Sequence, residues 1–118
     1  DFSIILADLE WIESRSIDSL KSWEMLSARH PSLNKKLASA YRTLGEIEKS
    51  YYYFIQYEKN MSLDHEDLIF KSEICQLLNK WTEASSSIKD LIRYHSELVD
   101  SNTWKRLSHF QMMESLRK

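Results

Sequence analysis

Apolar residues recur three and four positions apart along almost the whole chain, the spacing that gathers them on one face of an α-helix. Read this way, the pattern predicts seven helices, at about Phe2–Glu13, Ile17–Ala28, Leu33–Leu44, Ile47–Asn60, His65–Leu78, Trp81–Ser96 and Ser101–Leu116. The breaks between them are short and carry helix-ending chemistry. Ser16 stands where an N-cap is needed before Ile17. Pro31, in His30-Pro31-Ser32, cannot continue the second helix. Gly45 follows the third helix at the position that requires positive φ, and Asn79 is the next-best residue for that role after the fifth. Ser62-Leu63-Asp64 and Asp100-Ser101-Asn102 supply cap residues for the helices that follow.

The two turn residues, Gly45 and Asn79, are 34 residues apart. The same step brings Ala38 onto Ser72, Tyr41 onto Cys75, Leu44 onto Leu78, Ser50 onto Ala84, Phe54 onto Ile88 and Tyr57 onto Leu91. Ala40 falls on Ile74 in the same register; apart from that pair and Tyr41 on Cys75, small residues fall on small ones and large on large. An earlier copy fits when closed up by three residues, with Leu6, Ala7, Ser19, Trp23 and Leu26 on Leu37, Ala38, Ser50, Phe54 and Tyr57. Two antiparallel helices need small residues where their backbones approach, and stacked pairs can bury an apolar face that one pair cannot.

This pattern resembles the tetratricopeptide repeat (TPR). The first unit carries Leu6, Ala7, Ser19, Trp23, Leu26 and Pro31 at the family's Leu, small, Ala, aromatic, apolar and closing-Pro positions. The second carries Leu37, Ala38, Tyr41, Gly45, Ser50, Phe54 and Tyr57. The third departs from the pattern at Lys71 and Cys75, and the last helix, with Trp104, Leu107, Ser108 and Phe110, looks like half of a fourth unit. The resemblance implies an all-α fold of about seven helices, paired as helix-turn-helix repeats in a right-handed TPR-like solenoid. It divides one domain, 1–118, into repeats at about 2–31, 33–62 and 65–98 and a terminal helix at 101–117. It also implies a concave groove lined by Ile4, Asp8, Trp11, Lys35, Ser39, Arg42, Ile69, Glu73, Gln76, Lys105 and His109. Lys35 and Arg42 suit an acidic partner, but Ser39 replaces the Asn of the family's carboxylate clamp, which counts against binding of a chaperone tail.

Composition narrows the function further. One Gly and one Pro in 118 residues leave too few turn residues for a β-sandwich or an α/β fold. With 42% hydrophobic and 29% charged residues the chain can build a core. A net charge of -2 gives no basis for binding nucleic acid. No apolar run approaches the ~20 residues that span a bilayer. Cys75 is the single cysteine, so no intramolecular disulfide forms, which suits the cytoplasm and equally the periplasm. The chain starts at Asp1 without an initiator Met, so it reads as an interior slice of a longer array. Acidic residues crowd its beginning (Asp1, Asp8, Glu10, Glu13, Asp18) and basic ones its end (Lys105, Arg106, Arg117, Lys118). Such ends could favour head-to-tail stacking of chains, or simply continue into further repeats.

No constellation points to catalysis, a metal or a cofactor. His30, His65, His95 and His109 are dispersed, and no pair has the spacing of a zinc site. His65-Glu66-Asp67 reads as an acidic first turn of a helix. Cys75 sits at a core position with no activating neighbour in sequence. Ser85-Ser86-Ser87 reads as a solvated helix face, Trp23 and Trp104 as core, and Trp11 and Trp81 as undecided. Tyr51, Tyr52, Tyr53 and Phe54 fan out around a helix in steps of ~100°, so at least one tyrosine must reach the surface. That tyrosine either packs on an adjacent repeat or contributes to self-association. The expected function is a non-enzymatic scaffold that binds a protein or peptide through the groove. The alternative is a structural segment of a bacterial secretion or exopolysaccharide-export machine, holding a partner enzyme in the periplasm. An enzyme is the weakest reading.

Overall fold

The computed structural model describes residues 2–116, and Asp1, Arg117 and Lys118 lie outside the described residues. Among the described residues there are seven α-helices and no strand: α1 (Phe2–Ser14), α2 (Lys21–Ser27), α3 (Leu33–Thr43), α4 (Ile47–Asn60), α5 (His65–Leu77), α6 (Trp81–Tyr94) and α7 (Ser101–Leu116). Two stretches are tighter than the periodicity predicts. The region before α2 is a 3-10 turn, Asp18–Leu20, and a second one, Ser96–Leu98, follows α6. In the first, the Ser19 hydroxyl donates to the Ser16 carbonyl at 2.6 Å, while Ser16 and Ser19 also exchange backbone-to-hydroxyl bonds at 3.2 and 3.4 Å. These local bonds compete with the α-helical ladder. The chain forms two compact units, 1–62 and 63–118.

In the first unit α3 and α4 form an antiparallel hairpin. Its turn is a Schellman motif: Gly45 takes φ 81°, its N–H donates to the Arg42 carbonyl at 3.0 Å, and the Glu46 N–H reaches back to the Tyr41 carbonyl at 2.9 Å. Ala38 and Ser50 are fully buried where the helices meet, and the Ser50 hydroxyl donates to the Ala38 carbonyl at 2.5 Å. Tyr41 stacks on Tyr53, with ring centroids 5.6 Å apart and planes 4° from parallel. Its hydroxyl donates to the Glu24 carboxylate, tying α3 to α2. Tyr52 meets Tyr53 edge-on and remains exposed, as the fan of aromatics requires. α1 closes the unit by burying Ala7 and Trp11 against Leu20, Trp23, Leu37 and Ala40.

The second unit repeats that local geometry with α5 and α6. Asn79 takes φ 59°, its N–H donates to the Gln76 carbonyl at 3.1 Å, and the Lys80 N–H reaches the Cys75 carbonyl at 2.7 Å. Each of these positions is displaced by 34 residues from its counterpart in the first turn. Ser72 and Ala84 are fully buried at the positions equivalent to Ala38 and Ser50. α5 opens on a capping box. The Asp67 N–H donates to Asp64 at 2.8 Å, and the Asp64 N–H donates to Asp67 at 3.2 Å. α7 then packs on α6 through Thr103, Leu107 and Phe110, and Phe110 lies 6.0 Å from Trp81. Asp100 caps it, accepting from the Thr103 N–H and hydroxyl at 3.0 and 3.1 Å. Those hydrogen bonds from Thr103 hold the exposed Asp100 carboxyl below its ordinary range.

Several side-chain assignments change. Trp104 is 53% exposed, because α7 turns Thr103, Leu107 and Phe110 inward and the adjacent position rotates away by ~100°. Ser108 is exposed for the same reason. Trp11 and Trp81 are buried. Ser85 and Ser87 are also buried, not solvated. They donate to the Thr82 and Glu83 carbonyls at 3.2 and 3.0 Å, and Ser85 also donates to Glu114 of α7, the helix that covers this side of α6.

The turn makes a direct test. A Cβ added at Gly45 would meet nothing within 4 Å, so only the left-handed backbone opposes it. Gly45→Ala should cost about 1 kcal/mol. Asn79→Gly should be neutral or slightly stabilising, both read from urea unfolding curves.

Candidate functional site

α1 and α3 run past each other in the first unit, and the gap between them is a cleft of about 350 Å³. Asp8, Trp11, Ile12 and Arg15 line one side, Lys36, Ser39, Ala40 and Thr43 the other, with Trp23 of α2 completing it. Three of the residues expected in a groove, Asp8, Trp11 and Ser39, therefore meet here. Helical spacing explains their company. If Asp8 faces the cleft, so do Ile12 and Arg15, four and seven positions on. If Ser39 faces it, so do Lys36 and Thr43. That spacing was the signal by which Arg15 and Lys36 could have been found.

The cleft has an aromatic floor with charge above it. The Trp11 and Trp23 rings lie 6.0 Å apart at 44°. Arg15 places its guanidinium 5.0 Å from the Trp11 centroid, and Lys36 its ammonium 5.8 Å from the Trp23 centroid. Arg15 reaches that place because it ends α1 with φ 49°, its N–H still bonded to the Trp11 carbonyl at 2.9 Å. Asp8 accepts from Trp23 Nε1 at 2.9 Å and from Lys36 Nζ at 3.1 Å through both oxygens, which fixes the indole and the lysine together. Two cations against one carboxylate leave the cleft with an excess positive charge. An apolar or aromatic group carrying a carboxylate fits this combination.

The other expected groove residues lie elsewhere. Ile4 is half-buried against the core of the first unit. Lys35 stands over the Tyr57 ring at 5.8 Å, on another side of α3 from the cleft. Arg42 is half-buried and does not line it. In the second unit Ile69 lines a smaller hollow of about 190 Å³ with Leu98, Asn102 and Arg106. Glu73 pairs with Arg106 at 3.7 Å. Gln76 and Lys105 are exposed, and His109 sits edge-on to Trp81 at 5.7 Å. His65 and His95 bring their rings to 6.1 Å. Among the described residues no three His, Cys, Asp or Glu side chains gather as a metal site would require.

Cys75 is fully buried on α5, its thiol 3.9 Å from Glu83 Oε2. Burial, aided by the Glu83 charge, pushes the thiol from its ordinary 9.0 up to about 12, so it stays protonated and weakly nucleophilic at neutral pH. Tyr41 and Tyr53 are also raised, by desolvation first and the Glu24 carboxylate second. For these groups the neutral form is favoured in the folded chain. The associated stability is complete below the unfolded values of 9.0 and 10.0 and is lost as pH rises toward the folded ones. Unfolding free energy should therefore fall above about pH 9, with Cys75→Ala flattening the first part of that decline. A thiol reagent at pH 8 should label the native chain far more slowly than the chain unfolded in urea.

Among the described residues no helix is long and apolar enough to cross a membrane. No family model, no curated protein and no solved structure matches this chain.

Proposed function

We propose that the chain is a non-enzymatic protein-interaction module, a segment of TPR-like helical repeats that binds a protein or peptide through the cleft between α1 and α3. The observation that carries this reading is the cleft itself, an aromatic floor of Trp11 and Trp23 topped by Arg15 and Lys36. Cationic side chains over indoles form a recognition surface for an acidic residue next to an apolar one. The repeat reading is supported by the two matching Schellman turns and by the paired small residues at each helix crossing.

Calorimetry against a library of short peptides that pair an aromatic or leucine with Asp or Glu tests the site. Ser39→Trp should fill the cleft and abolish binding, while far-UV circular dichroism stays unchanged because Ser39 is exposed. Arg15→Glu should weaken an acidic peptide by about tenfold or more, as truncating or reversing a close charge partner does. Lys35→Glu, on another side of α3, should leave the affinity nearly unaltered. Equal losses in all three variants, or none, would refute the cleft as the site.

A further inference from the structure

The side of α1 that faces away from the core is apolar and uncovered. Ala7 and Trp11 point inward. On the opposite side Phe2 is 72% exposed, Ile5 54% and Leu9 49%, and Ile12, where the stripe meets the cleft, is 59% exposed. Successive steps of three, four and three residues put these four in one stripe. A helix with apolar side chains nearly all round is one that packs on both sides, and a contiguous exposed apolar stripe marks a docking surface. The charges of α1 are all acidic. Glu13 lies beside the stripe, Glu10 at its far edge, and no Lys or Arg occurs between Phe2 and Ser14.

Those charges select the occupant. A second α1 would bring carboxylates against carboxylates, and an anionic lipid surface would repel them. An amphipathic helix with apolar and basic residues on one face is complementary, and the chain possesses one. α7 exposes Trp104, Met112 and Leu116 on the side away from Thr103, Leu107 and Phe110. Lys105 shares that exposed side, while His109 leans on Trp81 and Glu114, the one acid of α7, is turned toward Ser85. We propose that the outer face of α1 docks the exposed face of α7 from a second copy of this chain, so that copies associate head to tail. The two contacting faces differ, so each added copy still presents one face of either kind. Assembly then continues into open chains or closes into a ring.

Sedimentation velocity over a concentration series tests this with two exposed-site variants. Wild type should gain mass with concentration at about 0.05 M salt and lose it at about 0.5 M, where the Debye length shrinks severalfold. Leu9→Arg and Trp104→Ser should each remain monomeric, with unchanged circular dichroism. Mixed one to one they should form a discrete dimer, because the intact α7 of the first meets the intact α1 of the second. A wild type that stays monomeric throughout would overturn the proposal. So would a Trp104→Ser chain that assembles like wild type, which would assign the stripe to α1–α1 pairing, or a mixture that fails to pair. Leu9-dependent flotation with phosphatidylserine vesicles would assign the stripe to lipid and overturn it as well. Leu9 does not line the cleft, so peptide binding by Leu9→Arg reads the cleft separately from assembly.

Discussion

Each helical hairpin depends on how closely its two helices approach. Ala38 and Ser50 disappear completely between α3 and α4, and Ser72 and Ala84 between α5 and α6. Side chains this small set a short interaxial distance, and larger ones would force the helices apart. In the first hairpin the approach is close enough for the Ser50 hydroxyl to bond the Ala38 carbonyl directly at 2.5 Å. That bond satisfies a polar group that has no access to water. With the helices held at this distance, the larger residues on either side of the crossing, Tyr41 and Phe54 in one hairpin and Cys75 and Ile88 in the other, fill the remaining space. The left-handed turn residue follows from the same constraint. Only a sharp reversal returns the second helix along the first, and Gly45 and Asn79 provide it with matching hydrogen bonds.

The cleft follows from packing rather than from any single motif. α1 meets the rest of the first unit through few side chains, principally Ala7 and Trp11. Its contact with α3 is therefore incomplete, and the gap is left to long polar side chains. Asp8 resolves the electrostatics of that gap by accepting from Trp23 and Lys36 together. The lysine and the indole are thereby held in place, an arrangement that would lower the ordering cost of the proposed peptide binding. Arg15 is presented by backbone geometry, since a residue in the left-handed region ends α1 and redirects its side chain over Trp11.

Much of this was legible in the chain. The bounds of α4 and α7, the positive φ at Gly45 and Asn79, the Asp64 and Asp100 caps, the burial of Cys75 and the exposure of one tyrosine of the Tyr51–Tyr53 run all follow from local rules. The errors cluster where a residue's surroundings come from another helix. Ser85 and Ser87 look solvated on α6 alone, yet both are buried: Ser85 meets Glu114 of α7, and Ser87, ~200° further round the helix, turns its hydroxyl to the Glu83 carbonyl. Trp104 looks like core because it is large, yet α7 presents the neighbouring Thr103 inward instead. In the cleft, Asp8, Trp11 and Ser39 belong to the groove set that the resemblance implies, whereas Arg15 and Lys36 do not, though their helical spacing places them on the same faces.

The sequence by itself determined the seven helices, the 34-residue recurrence and the turns, though not the 3-10 stretches at Asp18–Leu20 and Ser96–Leu98. These rest on interactions within a few residues of one another: periodicity, caps and the φ preference of glycine and asparagine. The tertiary structure alone decided which face of α7 is inward and that Asp8 joins Trp23 and Lys36 into one site. It also decided that the outer stripe of α1 stays uncovered. Those outcomes depend on the rotation of one helix against another. A rotation of ~100° exchanges a core position for its neighbour while leaving the local pattern almost as well satisfied.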